Sequence, residues 1–265
     1  MPVPTYTPVK LEIPGLGITV GVDIDVDGIT YIANRGDQTV IRLLPDGDID
    51  TLPVSGLLDP YGLKLDSTGR IVVADYAGHR VVRYDPATGS QEVVGFTGLR
   101  FPTDVEIDSL GRILVVDQGN QRVVRLTDDG TQETLGTTQI ANIHGIALDA
   151  DDTIYVTQKG PDVPGLHKFG PDSEPVRIAM YGLDAPTGID IGSDGTIYVA
   201  NTGQAQHSST VTLFQPDGTR IGFVKTCEPL SGRPCVMRPL ALALDHADNI
   251  TVLGYQPEAI RLVRN

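Results

Sequence analysis

Six short segments of the 265-residue chain align with one another: Val20-Gly-Val-Asp-Ile-Asp25, Tyr61-Gly-Leu-Lys-Leu-Asp66, Thr103-Asp-Val-Glu-Ile-Asp108, His144-Gly-Ile-Ala-Leu-Asp149, Thr187-Gly-Ile-Asp-Ile-Gly192 and Leu240-Ala-Leu-Ala-Leu-Asp245. Their first residues lie 41, 42, 41, 43 and 53 positions apart. A period of this size marks a structure built from one unit used several times. Each segment alternates large aliphatics with small or charged residues, which is the periodicity of a strand. A turn follows each, as in Val26-Asp-Gly28 and Ser193-Asp-Gly195. A second strand comes next, as in Arg70-Ile-Val-Val-Ala-Asp75 and Arg112-Ile-Leu-Val-Val-Asp117. After a short polar loop there is a third, such as Arg80-Val-Val-Arg-Tyr84, and then a fourth, such as Ser90-Gln-Glu-Val-Val94.

Four antiparallel strands per unit of this length predict an all-β fold, a six-bladed β-propeller spanning residues 1–265 as one domain. One small sheet cannot cover both of its faces, but six in a ring cover one another. Blades are expected to begin near Val20, Tyr61, Thr103, His144, Thr187 and Leu240. The last unit has only three strands, ending at Ala259-Ile-Arg-Leu-Val-Arg264, and residues 9–13 are expected to supply the fourth. Pairing the two chain ends in this way removes exposed edges. Blades four to six depart most from the repeat. Residues 161–165 and 204–209 lengthen loops, and residues 226–239 lengthen the connection into blade six.

The net charge of −14 excludes nucleic acid and anionic membrane as expected partners, because a polyanion is repelled over most of such a surface. No apolar run reaches the roughly 18 residues that cross a bilayer. The opening Met-Pro-Val-Pro-Thr-Tyr lacks the basic start and apolar core of a signal peptide. A native N-terminus would place the protein in the cytoplasm; an excised or processed one, outside it. Cys227 and Cys235 have no histidine within ten residues on either side, so they do not form a zinc site with a local His. They are either a disulfide stapling a loop or two free thiols, depending on the compartment.

Asp59-Pro-Tyr-Gly-Leu63, Val-Val-Ala-Asp75, Gly78-His-Arg-Val-Val82 and Gly119-Asn-Gln-Arg-Val-Val124 resemble NHL repeats, with Leu63 where the family commonly has Ile or Val. Segments such as Val93-Val-Gly-Phe-Thr-Gly-Leu99 resemble the propeller sensor domains of some bacterial receptor kinases. The resemblance implies a ligand site at one mouth of the axial channel. There the first residues of the innermost strands meet the loops joining second and third strands. The rim then consists of Val20, Tyr61, Thr103, His144, Thr187 and Leu240 with Arg35, Tyr76, Gln118, Lys159, Thr202 and Tyr255. This mixed polar and aromatic set suits a small polar ligand, a peptide or a protein.

Three enzyme types on similar propellers are tested by the same positions. Peptide-amidating lyases hold zinc on three histidines at innermost-strand starts, and here His144 is alone. Gluconolactonase-like propellers hold calcium with Glu, Asn and Asp near the channel, and that oxygen set is missing from the strand starts. The paired His and Glu of virginiamycin-type lyases have no counterpart either. No metal and no cofactor are therefore expected. A metal-independent lyase, hydrolase or cyclase remains as the alternative to a binding module, with His144 as a base near neutral pH and with Tyr61 and Arg35. Charged residues at the fourth positions of the innermost strands, Asp23, Lys64, Glu106 and Asp190, line the channel. The first three read as a salt-bridged row across blades one to three, or as an acid/base group at Lys64 or Glu106. Asp190 has no basic partner at the matching positions. Asp66, Asp108, Asp149 and Asp245 read as turn formers. His79, His167, His207 and His246 read as solvated.

Overall fold

The computed structural model describes residues 3–136, 139–160, 164–179, 181–203, 209–227 and 234–265. Its strands fall into six four-stranded antiparallel sheets. The chain opens with β1 (Tyr6–Lys10). Blade 1 is β2 (Thr19–Ile24), β3 (Thr30–Asn34), β4 (Thr39–Leu43) and β5 (Ile49–Leu52). Blade 2 is β6 (Pro60–Leu65), β7 (Ile71–Asp75), β8 (Arg80–Tyr84) and β9 (Gln91–Val93). Blade 3 is β10 (Pro102–Ile107), β11 (Ile113–Asp117), β12 (Arg122–Leu126) and β13 (Gln132–Leu135). Blade 4 is β14 (Ile143–Leu148), β15 (Ile154–Gln158), β16 (Gly165–Phe169) and β17 (Val176–Ala179). Blade 5 is β18 (Pro186–Ile191), β19 (Ile197–Asn201), β20 (Thr210–Phe214) and β21 (Arg220–Lys225). Blade 6 is β22 (Pro239–Leu244), β23 (Ile250–Gly254) and β24 (Ala259–Arg264), completed by β1. The protein is a six-bladed β-propeller.

The second strand of each blade shows why a ring forms. In β7 all five residues are buried, and they alternate between neighbours. Ile71 and Val73 pack with Ala33, Val40 and Leu52 of blade 1, while Val72 and Ala74 pack with Val105, Val115 and Val124 of blade 3. A strand covered on both faces carries a continuous apolar run instead of an alternating one. Six such clusters fill the six spaces between blades, including one that joins Val22, Ile32 and Ile41 of blade 1 to Ala241, Ala243 and Leu253 of blade 6.

Near the axis the blades come closer still. A Cβ on Gly21 would lie 2.2 Å from the Tyr61 carbonyl oxygen, and one on Gly145 would lie 2.3 Å from that of Thr187. No side chain fits there, so the third position of the inner strand is glycine in four blades. The start of each blade falls one residue ahead of the expected position.

The ring closes as β1 pairs antiparallel with β24, with Tyr6 opposite Arg264 and Lys10 opposite Ile260. The pairing segment lies three residues upstream of the expected 9–13. Leu11 and Ile13 supplied the alternation that suggested a strand, but both pack into the cluster between blades 6 and 1. Cys227 and Cys235 are joined as a disulfide in the connection from blade 5 to blade 6. The expected long loops at 161–165 and 204–209, with His207, fall wholly or largely outside the described residues.

Removing residues 1–10 strips the partner from β24 and opens a long edge strand. The truncated protein is expected to melt at lower temperature and to form higher-order species by size-exclusion chromatography. An unchanged melting curve would show that β1 does not close the ring.

Candidate functional site

The inner strands begin at one end of the channel, the upper mouth, where the loops between second and third strands also lie. The turns between first and second strands lie at the other end, the lower mouth. Between them sits the charged row. Lys64 Nζ is 3.5 Å from Asp23 and 3.4 Å from Glu106, an ion-paired set spanning blades 1 to 3. Burial alone would pull the Lys64 pKa down, but Asp23, Glu106 and Asp190 outweigh it and hold the value well above that of an ordinary lysine. Burial pushes the Glu106 carboxyl up to about 7, against the pull of Lys64. Asp190 thus has Lys64 within electrostatic reach, although no basic residue stands beside it in the ring.

Asp104 is a channel carboxylate that the sequence reading passed over. It occupies the third position of its strand, where four other blades have glycine, and burial pushes it up to about 7. Its Oδ2 accepts the backbone N–H of Ile146 in blade 4 at 3.0 Å. Asp23 accepts Leu65 N–H of blade 2 at 2.9 Å, and Asp190 accepts Leu244 N–H of blade 6 at 2.8 Å. Blades 1, 3 and 5 therefore each send one carboxylate to the next inner strand. These five side chains line a space of about 40 Å³, too small for an organic ligand, and Asp23, Lys64 and Asp190 also border a larger cavity below it.

A cavity of about 630 Å³ opens at the lower mouth. Apart from that of Asp27, its carboxylates already have partners. Asp25, Asp66 and Asp245 each accept two backbone N–H groups of their own turns, and Asp108 and Asp149 do the same in blades 3 and 4. Asp248 accepts Ser193 N–H at 3.1 Å and pairs with Arg264. His246 is exposed beside this cavity.

The upper mouth is different in kind. Tyr61 and Tyr76 stack with centroids 4.9 Å apart, Tyr76 meets Phe101 at 5.0 Å, and His79 meets Phe101 edge-on at 4.5 Å. His144 lies 5.8 Å from Tyr61 on the other side. The Arg35 guanidinium sits 5.3 Å over Tyr61, held by Asp59 through bonds of 2.5 and 3.0 Å. The loop leading to Tyr61 is pinned by Asp75, which is fully buried. Asp75 accepts the N–H groups of Leu58 and Asp59 at 3.0 and 2.8 Å and pairs with Arg80. Asp117 holds Arg100 N–H at 2.7 Å in the same way, one residue before Phe101. The aspartate that ends the second strand thus aims the rim of its own blade.

The structure brings Tyr61, Tyr76, Arg35 and His144 together. His144 does not suit the base role expected of it. It is 5% exposed, and burial together with the Lys159 charge pulls its pKa down to about 3, so the ring stays neutral and is weakly basic at pH 7. Its Nε2 has no hydrogen-bond partner. Thr103 and Thr187 hold the ring together instead of facing a ligand: both are buried, and their hydroxyls donate to the carbonyls of His144 at 2.7 Å and Pro239 at 3.4 Å. Gln118 sits half-buried in a single 3-10 turn. Lys159 is half-buried, and Tyr255 is exposed beneath the Arg238 guanidinium at 4.9 Å. Two of the supposedly solvated histidines are engaged. His167 is buried against Gln158 at 2.9 Å, with a pKa pulled to about 4, and His79 accepts Phe101 N–H at 3.0 Å.

The sequence reading missed Phe101, His79 and Arg238. Phe101 and Arg238 both stand immediately before the proline that opens an inner strand, and both adopt left-handed backbone, φ 51° and 53°. Bulky residues seldom do so. The dipeptides Phe101-Pro102 and Arg238-Pro239, aligned with Asp59-Pro60, were the available signal.

Among the described residues no three His, Cys, Asp or Glu side chains cluster as a metal ion would require, and no helix is long and apolar enough to cross a membrane. The fold and its rim define a six-bladed propeller with an NHL-type blade. The family model of the NHL repeat matches residues 57–84, most of blade 2 with the loop before it. Among curated proteins no sequence matches the chain. Solved structures do. A gluconolactonase from Xanthomonas campestris superposes with a TM-score of 0.80 at 19% identity, covering 98% of this chain and 90% of that one. Virginiamycin B lyase from Staphylococcus aureus superposes with a TM-score of 0.72 at 14% identity, covering 98% and 99%. A chain of a nidogen/laminin complex superposes with a TM-score of 0.69 at 17% identity, covering 81% of each. At these identities the likeness is one of fold.

Two consequences of the charged row can be measured. Lys64→Met leaves Asp23 and Glu106 without their cation and is expected to cost about 3 kcal/mol in chemical denaturation. An unchanged or raised stability would mean that the row is not structural. Asp104 and Glu106 have folded pKa values above the ordinary 3.8 and 4.5. Their contribution to stability is complete below about pH 4 and is lost as pH rises through about 7. His144 and His167, with lowered values, act in the opposite direction below about pH 6.5 in both proteins compared. Between pH 5 and pH 8, wild type is therefore expected to lose more stability than Glu106→Gln; equal losses would contradict the raised value at Glu106.

Proposed function

We propose that the protein is a recognition module that binds a small polar ligand, peptide or protein at the upper mouth. A planar or aromatic group of the ligand would lie against the shelf of Tyr61, Tyr76 and Phe101. The observation that carries this reading is the contiguity of those rings, 4.9 and 5.0 Å apart at a rim whose polar neighbours are already positioned. Rigid tyrosine and arginine anchors are what binding hot spots use, and each ring stack contributes roughly 0.5–1.5 kcal/mol beyond area burial. The same surface suits either ligand class among the structural neighbours, since one of them is part of a protein complex and others are named for enzymes of small molecules. A metal-independent enzyme at this mouth is the weaker reading, because a neutral His144 with a pKa near 3 is a poor general base.

Panning a random heptapeptide library against the immobilised protein tests the proposal. Enriched peptides are expected to carry an aromatic residue. Tyr76→Ala should weaken their binding at least tenfold, with the melting temperature nearly unchanged because Tyr76 is only half-buried. Asp27→Ala at the lower mouth should have no effect. Failure to enrich any peptide, or peptides indifferent to Tyr76→Ala, would overturn the reading.

A further inference from the structure

The third strands of four blades carry an arginine at one register position, opposite the second residue of the second strand: Arg42, Arg83, Arg125 and Arg261. In blades 1 to 3 the residue facing it on the fourth strand is a carboxylate, Asp50, Glu92 and Glu133. Each arginine offers that carboxylate the same edge. Nε donates at 3.0, 2.7 and 3.2 Å, and Nη2 donates to the same side chain. Blade 6 takes its fourth strand from the start of the chain, and there the residue facing Arg261 is Val9, 45% exposed. Closing the ring with β1 therefore leaves this arginine without the carboxylate its counterparts have.

The groups that surround it instead satisfy only part of that edge. Nη2 of Arg261 reaches Thr30 Oγ1 of blade 1 at 3.3 Å, while Nε is buried and has no hydrogen-bond partner. Thr251, facing Arg261 on the second strand, is fully buried, and its hydroxyl has no partner either. All three side chains enter the space between blades 6 and 1. Thr251 lies two residues before Leu253, Arg261 two after Ala259 and Thr30 two before Ile32, and those three apolar residues belong to the cluster that joins the two blades. Side chains two apart on a strand share a face. Other cations also lack a carboxylate, but Arg100, Lys168 and Arg220 each lie over an aromatic ring. Among the described residues, Nε of Arg261 is the one buried Lys or Arg nitrogen without a bond.

We propose that a chloride ion binds between blades 6 and 1, held by Nε of Arg261 and the hydroxyl of Thr251. It takes the part that a fourth-strand carboxylate plays in blades 1 to 3. A guanidinium nitrogen withdrawn from water without an acceptor is costly. Two donors meet here, one of them charged, and a monatomic anion accepts from both without the planar, two-pronged geometry that a carboxylate needs. The neighbouring hydroxyls of Thr30 and Thr251 are fully buried, so the anion that fits among them is a small one. Bound there, it links the closing blade to the first. The site belongs to neither mouth and is independent of the upper-mouth reading.

Sodium chloride is titrated into the protein at constant ionic strength set with sodium methanesulfonate, and the melting temperature and the chloride-35 NMR line width are followed. In wild type the melting temperature is expected to rise along a saturating curve, as it does for a ligand that binds only the folded state, and the line to broaden. Val9→Glu supplies the missing carboxylate at an exposed position. It is expected to melt above wild type without chloride and to bind chloride at least tenfold more weakly. Arg261→Met should abolish the response. No saturable response in wild type, or an undiminished one in either variant, overturns the proposal.

Discussion

The close approach of neighbouring inner strands around the axis is the constraint on which the rest of the molecule depends. A Cβ at Gly21 or Gly62 would lie within about 2.2 Å of atoms in the next blade. The blades can meet this tightly only where side chains are absent or turned aside. Three carboxylates, from Asp23, Asp104 and Asp190, then satisfy backbone donors of the following strand. Burying charge in so narrow a space is costly without compensation. Compensation comes from Lys64, from these backbone N–H groups and from the protons that Asp104 and Glu106 retain to about pH 7. The channel is thus packed and polar, and its residual space is too small to be the site of an organic ligand.

The charged row narrows the channel between the two mouths, and the two differ. At the lower mouth Asp25, Asp66, Asp108, Asp149 and Asp245 fold back onto their own backbone, and Asp248 reaches Ser193 of the neighbouring blade. Apart from Asp27, the carboxylates lining the cavity there are already engaged. At the upper mouth the equivalent aspartates and asparagines, Asp75, Asp117, Asn34 and Asn201, lie one layer below the rim and hold the loops that form it. The rim side chains themselves, rings and cations, are left with unengaged faces. Cavity volume favours the lower mouth and unengaged chemistry favours the upper one. Recognition depends on groups that gain a partner on binding, and that is the ground on which the upper mouth is proposed as the site.

Much of the architecture was legible in the sequence because it arises from repetition. Six matching strand patterns define six blades, and the apolar runs of the second strands show that both faces are covered. The row Asp23–Lys64–Glu106 was legible for the same reason: equal positions in consecutive blades are neighbours in space. Asp104 was not, because it stands at a position that is otherwise small and reads as a lapse in the repeat. The closing strand was misplaced by three residues, since Leu11 and Ile13 alternate like a strand while serving as core. The state of His144 was hidden too. Its position could be read from the repeat, but its lowered pKa comes from burial and from the charge of Lys159, which only the closed ring brings about.

The residue just ahead of each inner strand explains how one scaffold can serve different chemistries. In this chain the position is held by Ile18, Asp59, Phe101, Asn142, Ala185 and Arg238. It precedes the strand whose backbone is fixed by the ring, so its location is set by the fold. Its side chain lies outside the packed layer, so its identity is free to vary. Four of the six adopt left-handed backbone, a local cost that the surrounding hydrogen bonds sustain. A propeller therefore presents six rigidly placed and independently variable groups around one opening. Structural neighbours named for a lactonase, a lyase and a laminin complex fit such a division between a conserved frame and a variable rim. In this protein the frame places an aromatic group at Phe101 and a cation at Arg238 on different sides of the opening, with His144 and Tyr61 in contact between them.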